Sequence, residues 1–297
     1  MKVIKTIKEM QKIADKLREE GKRIAVVPTM GYLHEGHTSL MKVAREHSDF
    51  VITTLFVNPT QFGPHEDFTT YPRDFDRDCR IAEENGTDIL FNPEIDEMYP
   101  HGHNAKIILQ GVTEKFEGEK RPGHFYGVAT VVCKLFNATK AHIGVFGQKD
   151  VQQTIVIKKL VKDLDLDIDI VIAPTLRHSD GLAMSSRNVY LSSEDRTRSS
   201  IIYSALNKAK EAIEAGEKKR KIINAIMHAE LRTIISIKLD YASSADVETL
   251  EEPDEFLPGQ HIVLMIACYL GKTRLIDNML VTIPSGISQN PEKFEEL

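Results

Sequence analysis

The chain has 297 residues, 41% hydrophobic and 28% charged, which is typical of a soluble globular protein with one large domain or two smaller ones. Its net charge of -6 gives no overall basic surface for nucleic acid, and its most apolar stretch, residues 261–270, is shorter than the roughly 20 residues that cross a membrane. Three widely spaced cysteines give no disulfide framework, so we expect a cytoplasmic protein without nucleic-acid or membrane partners.

Strands and helices alternate in the first part of the chain. Apolar positions over residues 10–17 predict a helix that Gly21 ends, and the apolar run Ile24–Val27 predicts a buried parallel strand. Further strands are predicted at 50–57, 88–91, 141–146 and 168–173, and further helices at about 38–47, 75–85, 128–136 and 151–164. This order predicts an α/β fold with a Rossmann-like parallel sheet domain over residues 1–175.

The pattern changes beyond residue 175. A long charged helix is predicted over 194–215 and a second helix over 219–235. They are followed by strands at 239–242, 261–269 and 274–281, of which the last two are joined by a hairpin at Gly271 and Lys272. Helices followed by strands predict a second, smaller α+β domain over residues 176–283. The polar residues 284–297 predict a flexible tail.

The segment Pro28–His37 joins a predicted strand to a predicted helix. Its glycines, Gly31 and Gly36, would let a ligand approach the backbone, and the N–H groups of a helix start attract phosphate. His34 and His37 could each donate a hydrogen bond to a phosphate oxygen, and each could carry charge. Two surface histidines or a metal pair are the alternatives, although a zincin helix needs H-E-x-x-H. The segment favours a phosphate-bearing ligand.

A second segment, residues 180–188, contains Ser185, Ser186 and Arg187 after a glycine. Two hydroxyls and a guanidinium suit a triphosphate, which Arg187 would bind with its bidentate fork. An ordinary polar turn is the alternative. The pattern H-x-G-H marks nucleotidyltransferases and class I aminoacyl-tRNA synthetases, and those synthetases combine it with a second serine- and lysine-containing loop. The two segments together therefore indicate an ATP site for adenylation.

Seven motifs are spread along nearly the whole chain: Pro28–Gly31 with His34–His37, Phe56–Phe62, Tyr71–Arg73, Arg121–Phe125, Phe146–Gln153, Gly181–Asn188 and Arg274–Asn278. In this order they resemble the motifs of the pantothenate synthetase family, which belongs to the H-x-G-H nucleotidyltransferase superfamily. The resemblance implies an AMP-forming ligase that condenses pantoate with β-alanine, using ATP and Mg²⁺. It also implies a pantoyl-adenylate intermediate, release of AMP and pyrophosphate, and a homodimer.

The resemblance also implies roles for individual residues. Catalytic charge stabilisation would fall to His34, His37, Lys149 and Arg187, and His37 is commonly assigned as a proton donor in this family. Contacts with ATP would be made by Met30, Gly31, His34, Gly36, His37, Gly147, Lys149, Asp150, Leu176, Met184, Ser185, Ser186 and Arg187. Pantoate and β-alanine would be bound by Gln61, Gln153, His124 and Thr29. The Mg²⁺ ion would be held mainly by ATP, with Asp78 as a further candidate ligand.

Simpler explanations exist for some of these residues when the motifs are set aside. Lys149 and Asp150 suit a solvated lysine beside a helix-capping aspartate, and a lone glutamine is usually on the surface. Two other functions stay open: a nucleotidyltransferase that performs no ligation, and a non-enzymatic nucleotide-binding regulator. The acidic charge disfavours a tRNA-linked function. We expect the site between the domains, at the carboxyl ends of the strands, with the C-terminal domain closing over ATP.

Overall fold

The computed structural model describes residues 1–64 and 66–285. Six parallel strands form its larger sheet, in the spatial order β1-β4-β3-β2-β5-β6. Their bounds are β1 (Lys2–Ile4), β2 (Ile24–Thr29), β3 (Phe50–Leu55), β4 (Ile89–Phe91), β5 (Ile143–Gly147) and β6 (Asp169–Ala173). The predicted Rossmann-like parallel sheet is confirmed.

Helices cover both faces of this sheet. They are α1 (Ile7–Glu19), α2 (Glu35–His47), α3 (Phe75–Glu84), α4 (Ile95–Met98), α5 (Glu117–Lys120), α6 (His124–Thr139) and α7 (Val151–Asp163). Strand β2 shows why both faces must be covered: Ile24 and Val26 join the core under α1 and α6, while Ala25 and Val27 join the core under α2. Successive side chains of a strand point to opposite faces, so an uninterrupted apolar strand needs a helical layer on each side.

The second part of the molecule is a three-stranded antiparallel sheet with its own helices. Its elements are α8 (Ser193–Arg198), α9 (Ile201–Glu214), α10 (Arg220–Leu231), β7 (Ile237–Asp246), β8 (His261–Leu270) and β9 (Thr273–Thr282). A separate core forms between α9, α10 and the sheet, with Leu206, Met227 and Ile266 fully buried in it. The predicted smaller α+β domain is confirmed, and we retain residue 175 as the proposed boundary because β6 ends at Ala173.

Some predicted elements differ from the structure. The single helix predicted over 194–215 is two helices, because Ser199 donates both its N–H and its hydroxyl to the carbonyl of Arg196 and tightens the chain between α8 and α9. Strand β1, which pairs with β4, was not predicted because three residues show no periodicity. Of the predicted flexible tail, residues 286–297 lie outside the described residues. None of the helices within residues 1–64 and 66–285 combines the length and hydrophobicity needed to span a bilayer.

The strand order reverses between β2 and β5, which are neighbours in the sheet but far apart along the chain. At such a point the connections leave the carboxyl ends of the two strands in opposite directions and open a crevice, where ligands of α/β sheets bind. Residues 30–34 follow β2, and Gln148–Asp150 follow β5 as a single 3-10 turn. The topology therefore brings the H-x-G-H segment beside Lys149.

Candidate active site

A cavity of about 220 Å³ lies at this crevice, and a larger space of about 710 Å³ adjoins it between the two domains. The larger volume falls in the range of roughly 300–1,000 Å³ that is common for ligand sites. Five residues line both spaces: Arg121, Lys149, Asp150, Ser185 and Arg187. All of the predicted site residues are described by the structure, and only Gly31 and Asp78 among them lie outside the lining of the smaller cavity.

The two histidines form the start of helix α2. His34 is the N-cap residue, and its Nδ1 atom accepts a hydrogen bond from the N–H of Gly36 (3.1 Å). His37 returns the contact, because its Nδ1 accepts the N–H of His34 (3.3 Å). This is a reciprocal capping box in which histidines replace the usual Ser or Thr and Glu or Gln. The helix thus begins three residues earlier than predicted, and the three-residue spacing of the histidines follows from the geometry of the cap.

Gly36 makes room for the first of these rings. A Cβ atom built on Gly36 would lie 2.8 Å from Cε1 and 2.9 Å from Nδ1 of His34, and 3.7 Å from Cβ of Met184. The first two distances are shorter than van der Waals contact, so a side chain here would displace the His34 ring. The third distance shows that the loop carrying Met184 passes beside the helix start. The two predicted nucleotide-binding segments therefore meet.

Both rings are neutral at pH 7. Burial, followed by the charge of Lys149, lowers the pKa of His34 from 6.5 to about 4. Burial and the neighbouring His34 lower the pKa of His37 well below 6.5. Since Nδ1 of each ring accepts a hydrogen bond, the ring proton must be on Nε2. The expectation that these histidines carry charge is corrected: each offers one neutral N–H donor.

We expect NMR to find His34 as a neutral ring protonated at Nε2, titrating near pH 4 and not near 6.5. The folded protein then binds this proton less readily than the unfolded chain between about pH 4 and 6.5. The free energy of unfolding should consequently fall as the pH is lowered through that window. Nitrogen chemical shifts of labelled histidine would measure both the tautomer and the titration, with the protein in urea as control. Titration of folded His34 near 6.5 would contradict a buried ring beside Lys149.

Asp78 supports the loop from behind and does not face the cavity. Its two carboxylate oxygens accept the N–H groups of Tyr32 and Leu33, both at 2.7 Å. Tyr32 has a left-handed backbone with φ of 51°, and these bonds hold it there. Gly31 lies on the same side, where an added Cβ would come within 3.0 Å of Asp78 and 2.9 Å of Leu55. This placement gives both residues a role in the shape of the loop. The magnesium contact of Asp78 and the nucleotide contact of Gly31 stay predictions.

Gln61 is buried at the end of a 3-10 turn, Pro59–Gln61, with its side chain in the cavity wall. Its Oε1 accepts a hydrogen bond from Asn58 Nδ2 (3.0 Å), and its Nε2 lies 3.0 Å from the sulfur of Met30. Asn58 is itself fixed, because its Oδ1 accepts the hydroxyl of Tyr99 (2.8 Å). Asn58 therefore orients the Gln61 amide. No role was predicted for Asn58, although it lies in the motif that contains Gln61.

His124 is placed beside Gln61 but binds protein atoms with both ring nitrogens. Nδ1 donates to the backbone carbonyl of Gln61 (2.8 Å), so Nε2 is the acceptor and receives a bond from Arg121 (3.1 Å). Arg121 is held in turn by two bonds to the carboxylate of Glu66 (2.6 and 2.8 Å). Burial, and then the charge of Arg121, lower the pKa of His124 to about 4. The ring thus supports the Gln61 turn, and because His124 also lines the cavity, its contact with pantoate stays a prediction.

Thr29 and Gln153 complete the predicted substrate set. The Thr29 hydroxyl donates to the carbonyl of Thr54 in the adjacent strand (2.6 Å), so its proton is already committed to the sheet. Gln153 lines the cavity from the first turn of α7. The preceding Gln152 turns away from it and bonds to the backbone of Val112 and Glu117. Of two consecutive glutamines, only Gln153 can therefore meet a ligand in the cavity.

Lys149 and Asp150 project from the turn after β5 into the space shared by both cavities. Asp150 is the N-cap residue of α7, yet its side chain makes no capping hydrogen bond, which argues against the simpler explanation of a helix cap. The nearest charged contact of Lys149 is with Asp150, at 3.9 Å between Nζ and Oδ2. At that distance the ammonium group is loosely held and can approach a phosphate.

The serine-containing loop closes the cavity from the C-terminal side. Met184 donates its N–H to the carbonyl of Leu176 (3.0 Å), and the Ser185 hydroxyl accepts the N–H of Arg187 (3.3 Å). The guanidinium of Arg187 forms two bonds with Asp67, at 2.9 and 3.0 Å. Burial opposes ionisation of Asp67, but these bonds outweigh it and hold the pKa of that carboxyl below its ordinary value. The bidentate fork predicted for phosphate is thus occupied by a carboxylate.

Comparison with known proteins adds relatives of known activity. Residues 2–280 match the model of a family described as pantoate–β-alanine ligase. The chain is 48% identical to the pantothenate synthetase of Caldicellulosiruptor bescii over 281 residues, covering 95% of this chain and 99% of the relative. It is 46% identical to the pantothenate synthetase of Acetivibrio thermocellus over 283 residues, covering 95% and 100%.

Two solved structures are similar throughout their length. The crystal structure of pantothenate synthetase from Thermus thermophilus has a TM-score of 0.87 and 39% identity, covering 94% of this chain and 99% of that one. The pantoate–β-alanine ligase of Francisella tularensis, solved in complex with an ATP ligand and β-alanine, has a TM-score of 0.77 and 36% identity, covering 94% and 97%. The motif resemblance found in the sequence is therefore confirmed at the level of the whole chain.

Proposed function

We propose a reaction for this chain, which belongs to the pantoate–β-alanine ligase family. The proposed reaction joins pantoate to β-alanine, consumes ATP and yields pantothenate, AMP and pyrophosphate. The observation that carries it is the meeting of both nucleotide-binding segments with Gln61 and Gln153 in one cavity. That cavity lies at the strand-order reversal, where α/β sheets bind their ligands.

In the first step, a carboxylate oxygen of pantoate attacks the α-phosphorus of ATP. The bond to the bridging oxygen breaks, and pyrophosphate leaves with the bonding electrons. Negative charge grows on the leaving oxygens, where fixed donors are most effective. The ammonium of Lys149 and the neutral Nε2–H groups of His34 and His37 are suited to this task. We infer hydrogen-bond donation by His37, since a neutral imidazole is a poor proton donor at pH 7.

In the second step, the amine of β-alanine attacks the carbonyl carbon of the pantoyl adenylate. The bond from that carbon to the phosphate oxygen breaks, AMP leaves, and the nitrogen loses a proton as the amide forms. Gln61 fits the position between the substrates because its amide can both donate and accept. Its orientation by Asn58 would set which of its atoms faces pantoate. No covalent bond to the protein is needed, so positioning supplies most of the catalysis.

Magnesium would accompany ATP. Within residues 1–64 and 66–285, no group of three or more His, Cys, Asp or Glu side chains is arranged to hold a metal ion. This fits a Mg²⁺ ion that takes most of its ligands from phosphate and water, as is usual for that ion. Asp150, which faces both cavities, is the better-placed carboxylate for a supporting contact. Bound Mg²⁺ would neutralise phosphate charge.

A coupled assay tests the reaction. With ATP, Mg²⁺ and pantoate, one equivalent of pyrophosphate per active site should form in a burst, and AMP should appear in solution only after β-alanine is added. Release of AMP at the same rate without β-alanine would contradict ligation and would support a nucleotidyltransferase that performs no ligation. Absence of pyrophosphate under all conditions would contradict adenylation.

Gln61→Ala is expected to weaken pantoate binding about 10- to 100-fold while changing ATP affinity little. The amide lies against Met30 and Asn58 in the inner cavity wall, and its loss leaves the Asn58 donor without its partner. Calorimetric titration of each ligand measures the two affinities. Gln152→Ala, at a glutamine turned away from the cavity, is the matched control. Equal loss of pantoate and ATP affinity in Gln61→Ala would contradict the assignment.

The family membership also supports the remaining proposals. We propose that the protein acts in the cytoplasm, as a homodimer, on small-molecule substrates and without nucleic acid. We further propose that Leu176, Met184, Ser185 and Ser186 contact ATP from the C-terminal side of the cavity, which they line. Arg187 would join them once phosphate oxygens displace Asp67 from its guanidinium.

A further inference from the structure

We propose that Asn278, a residue of strand β9 in the C-terminal domain, positions Lys149 for the first chemical step. The inference rests on the role proposed above for Lys149. Asn278 is almost fully buried, at 1% exposure. Its Nδ2 donates to the backbone carbonyls of Gln148 and Lys149, both at 2.9 Å, and its Oδ1 lies 3.2 Å from Nε2 of Gln148. One amide side chain thus binds the turn that carries Lys149 at three points.

These bonds use both N–H donors of the Asn278 side chain and one lone pair of its oxygen. They are directed at the turn Gln148–Asp150, which belongs to the other domain. The turn is a single 3-10 unit between β5 and α7, so it has few internal hydrogen bonds to fix it. Because the carbonyl of Lys149 is held directly, Asn278 sets the point from which the Lys149 side chain extends toward the cavity.

Asn278 is also fixed on its own side. Its N–H donates to Oδ1 of Asp277 (2.8 Å), and its carbonyl accepts a bond from Arg177 (3.2 Å). Arg177 forms a bidentate pair with Asp277, and the chain that follows Arg177 leads into the serine-containing loop. Strand β9, the serine loop and the Lys149 turn are therefore connected by hydrogen bonds. Any movement of the C-terminal domain over ATP would move Lys149 with it.

A positioning error is costly in this step. A displacement of about 1 Å can lower a rate by roughly 100-fold when catalysis depends on orientation. Asn278→Ala removes all three bonds to the turn while leaving Lys149 present. We expect single-turnover release of pyrophosphate from ATP and pantoate to slow by about 10- to 100-fold at saturating ATP. ATP affinity should change less than the rate, because the remaining contacts with the nucleotide are unchanged.

A matched control is Asn224→Ala. Asn224 also binds the backbone with its side chain, by accepting the N–H of Ser244 (2.9 Å), but it lies within the C-terminal domain and away from the turn. Asn224→Ala should lower the melting temperature without slowing pyrophosphate release. A comparable slowing in Asn224→Ala would show that general loosening of the domain explains the effect, and would overturn the inference. If Asn278→Ala does not fold, Gln148→Met is used instead, because it removes the bond from Gln148 Nε2 to Asn278 Oδ1. An unchanged rate of pyrophosphate release in Gln148→Met would overturn the inference.

The decisive measurement is the double variant Asn278→Ala with Lys149→Ala. If Asn278 acts through Lys149, the second substitution should add little to the slow rate of Lys149→Ala alone. If the two effects multiply, Asn278 acts independently of Lys149 and the inference fails. The pyrophosphate burst of the wild type distinguishes failure of this inference from failure of the proposed function. Without a pantoate-dependent burst in the wild type, the proposed function fails; with it, a full rate in Asn278→Ala overturns the inference alone.

Discussion

Replacing Lys149 with alanine is expected to slow adenylate formation by about 10²- to 10³-fold while the melting temperature stays within a few degrees of the wild type. Removing one fixed donor from a developing oxyanion costs about this much in acyl transfer. Lys149 lines both cavities, and its only ion pair in the part of the chain that the structure describes is the long one with Asp150. Its removal therefore takes little from the folded state and much from the transition state.

Lys158→Ala is the matched control for Lys149→Ala. Lys158 is an exposed lysine on helix α7, so the same change in charge is made near the site without touching the cavity. Pyrophosphate release in a single turnover measures the chemical step free of product release. A rate in Lys149→Ala equal to that of Lys158→Ala would contradict the assigned role. Lys149→Arg should rescue only partly, because a planar fork cannot replace a compact ammonium group.

The local parts of the site could be predicted because their signals are local. The apolar run before Pro28, the glycines and the helix that follows give a strand, a loop and a helix start within a few residues. What this pattern cannot reveal is protonation. Burial in the folded chain is the main cause of the neutrality of His34 and His37, and the charge of Lys149, which is distant in sequence, adds to it.

The residues that orient the site were harder to find because their partners are distant in sequence. Arg187 is held by Asp67, which lies outside every motif, so the sequence carries no signal for this pair. Asn58 and Asn278 do lie inside motifs, which marks them as candidates but assigns no partner. A hydrogen bond from strand β9 to the turn after β5 becomes visible only when both domains are in place.

The same limit applies to two of the predicted site residues. Asp78 has the chemistry of a magnesium ligand, but its oxygens are used by the N–H groups of Tyr32 and Leu33. His124 has the chemistry of a substrate ligand, but both its nitrogens are used by Gln61 and Arg121. Residue type predicts which bonds a side chain can make. The tertiary structure decides which of those bonds remain for a ligand.

The interface between the domains should also determine stability, and Arg274→Met tests this. Arg274, in β9, makes two hydrogen bonds to Glu117 (2.6 and 2.8 Å) and one to Asp240 (2.7 Å). Tyr241 donates a further bond to Glu117 (2.8 Å). The Glu117 side chain is 8% exposed, so removing Arg274 would take the bidentate partner from a buried carboxylate. The carboxylate would keep the Tyr241 hydroxyl and Arg121, whose guanidinium lies 3.9 Å away. We expect the free energy of unfolding to fall by about 3–5 kcal/mol, with a drop in melting temperature on the order of 10 °C.

Lys210→Ala is the control for this change, since Lys210 and Glu214 form an exposed pair within one helix. Such a pair is worth about 0.3–0.5 kcal/mol. The double variant Glu117→Gln with Arg274→Met should regain part of the lost stability, because it removes a buried charge that has lost its strongest partner. Chemical denaturation followed by circular dichroism measures all three variants. A loss in Arg274→Met no larger than in Lys210→Ala would show that the buried network contributes little.

The pH dependence separates this ion pair from simple packing. Burial opposes ionisation of Glu117, but Arg274 outweighs it and holds the pKa of that carboxyl below its ordinary value of 4.5. The pair therefore stabilises the folded state fully above pH 4.5, and this contribution is lost as the pH falls through the lowered pKa. In Arg274→Met the buried carboxyl loses its strongest partner and keeps Tyr241 and Arg121, and protonation at low pH relieves part of that cost. The difference in stability between wild type and variant should shrink as the pH is lowered from 7 to 4, whereas a packing defect would leave it constant.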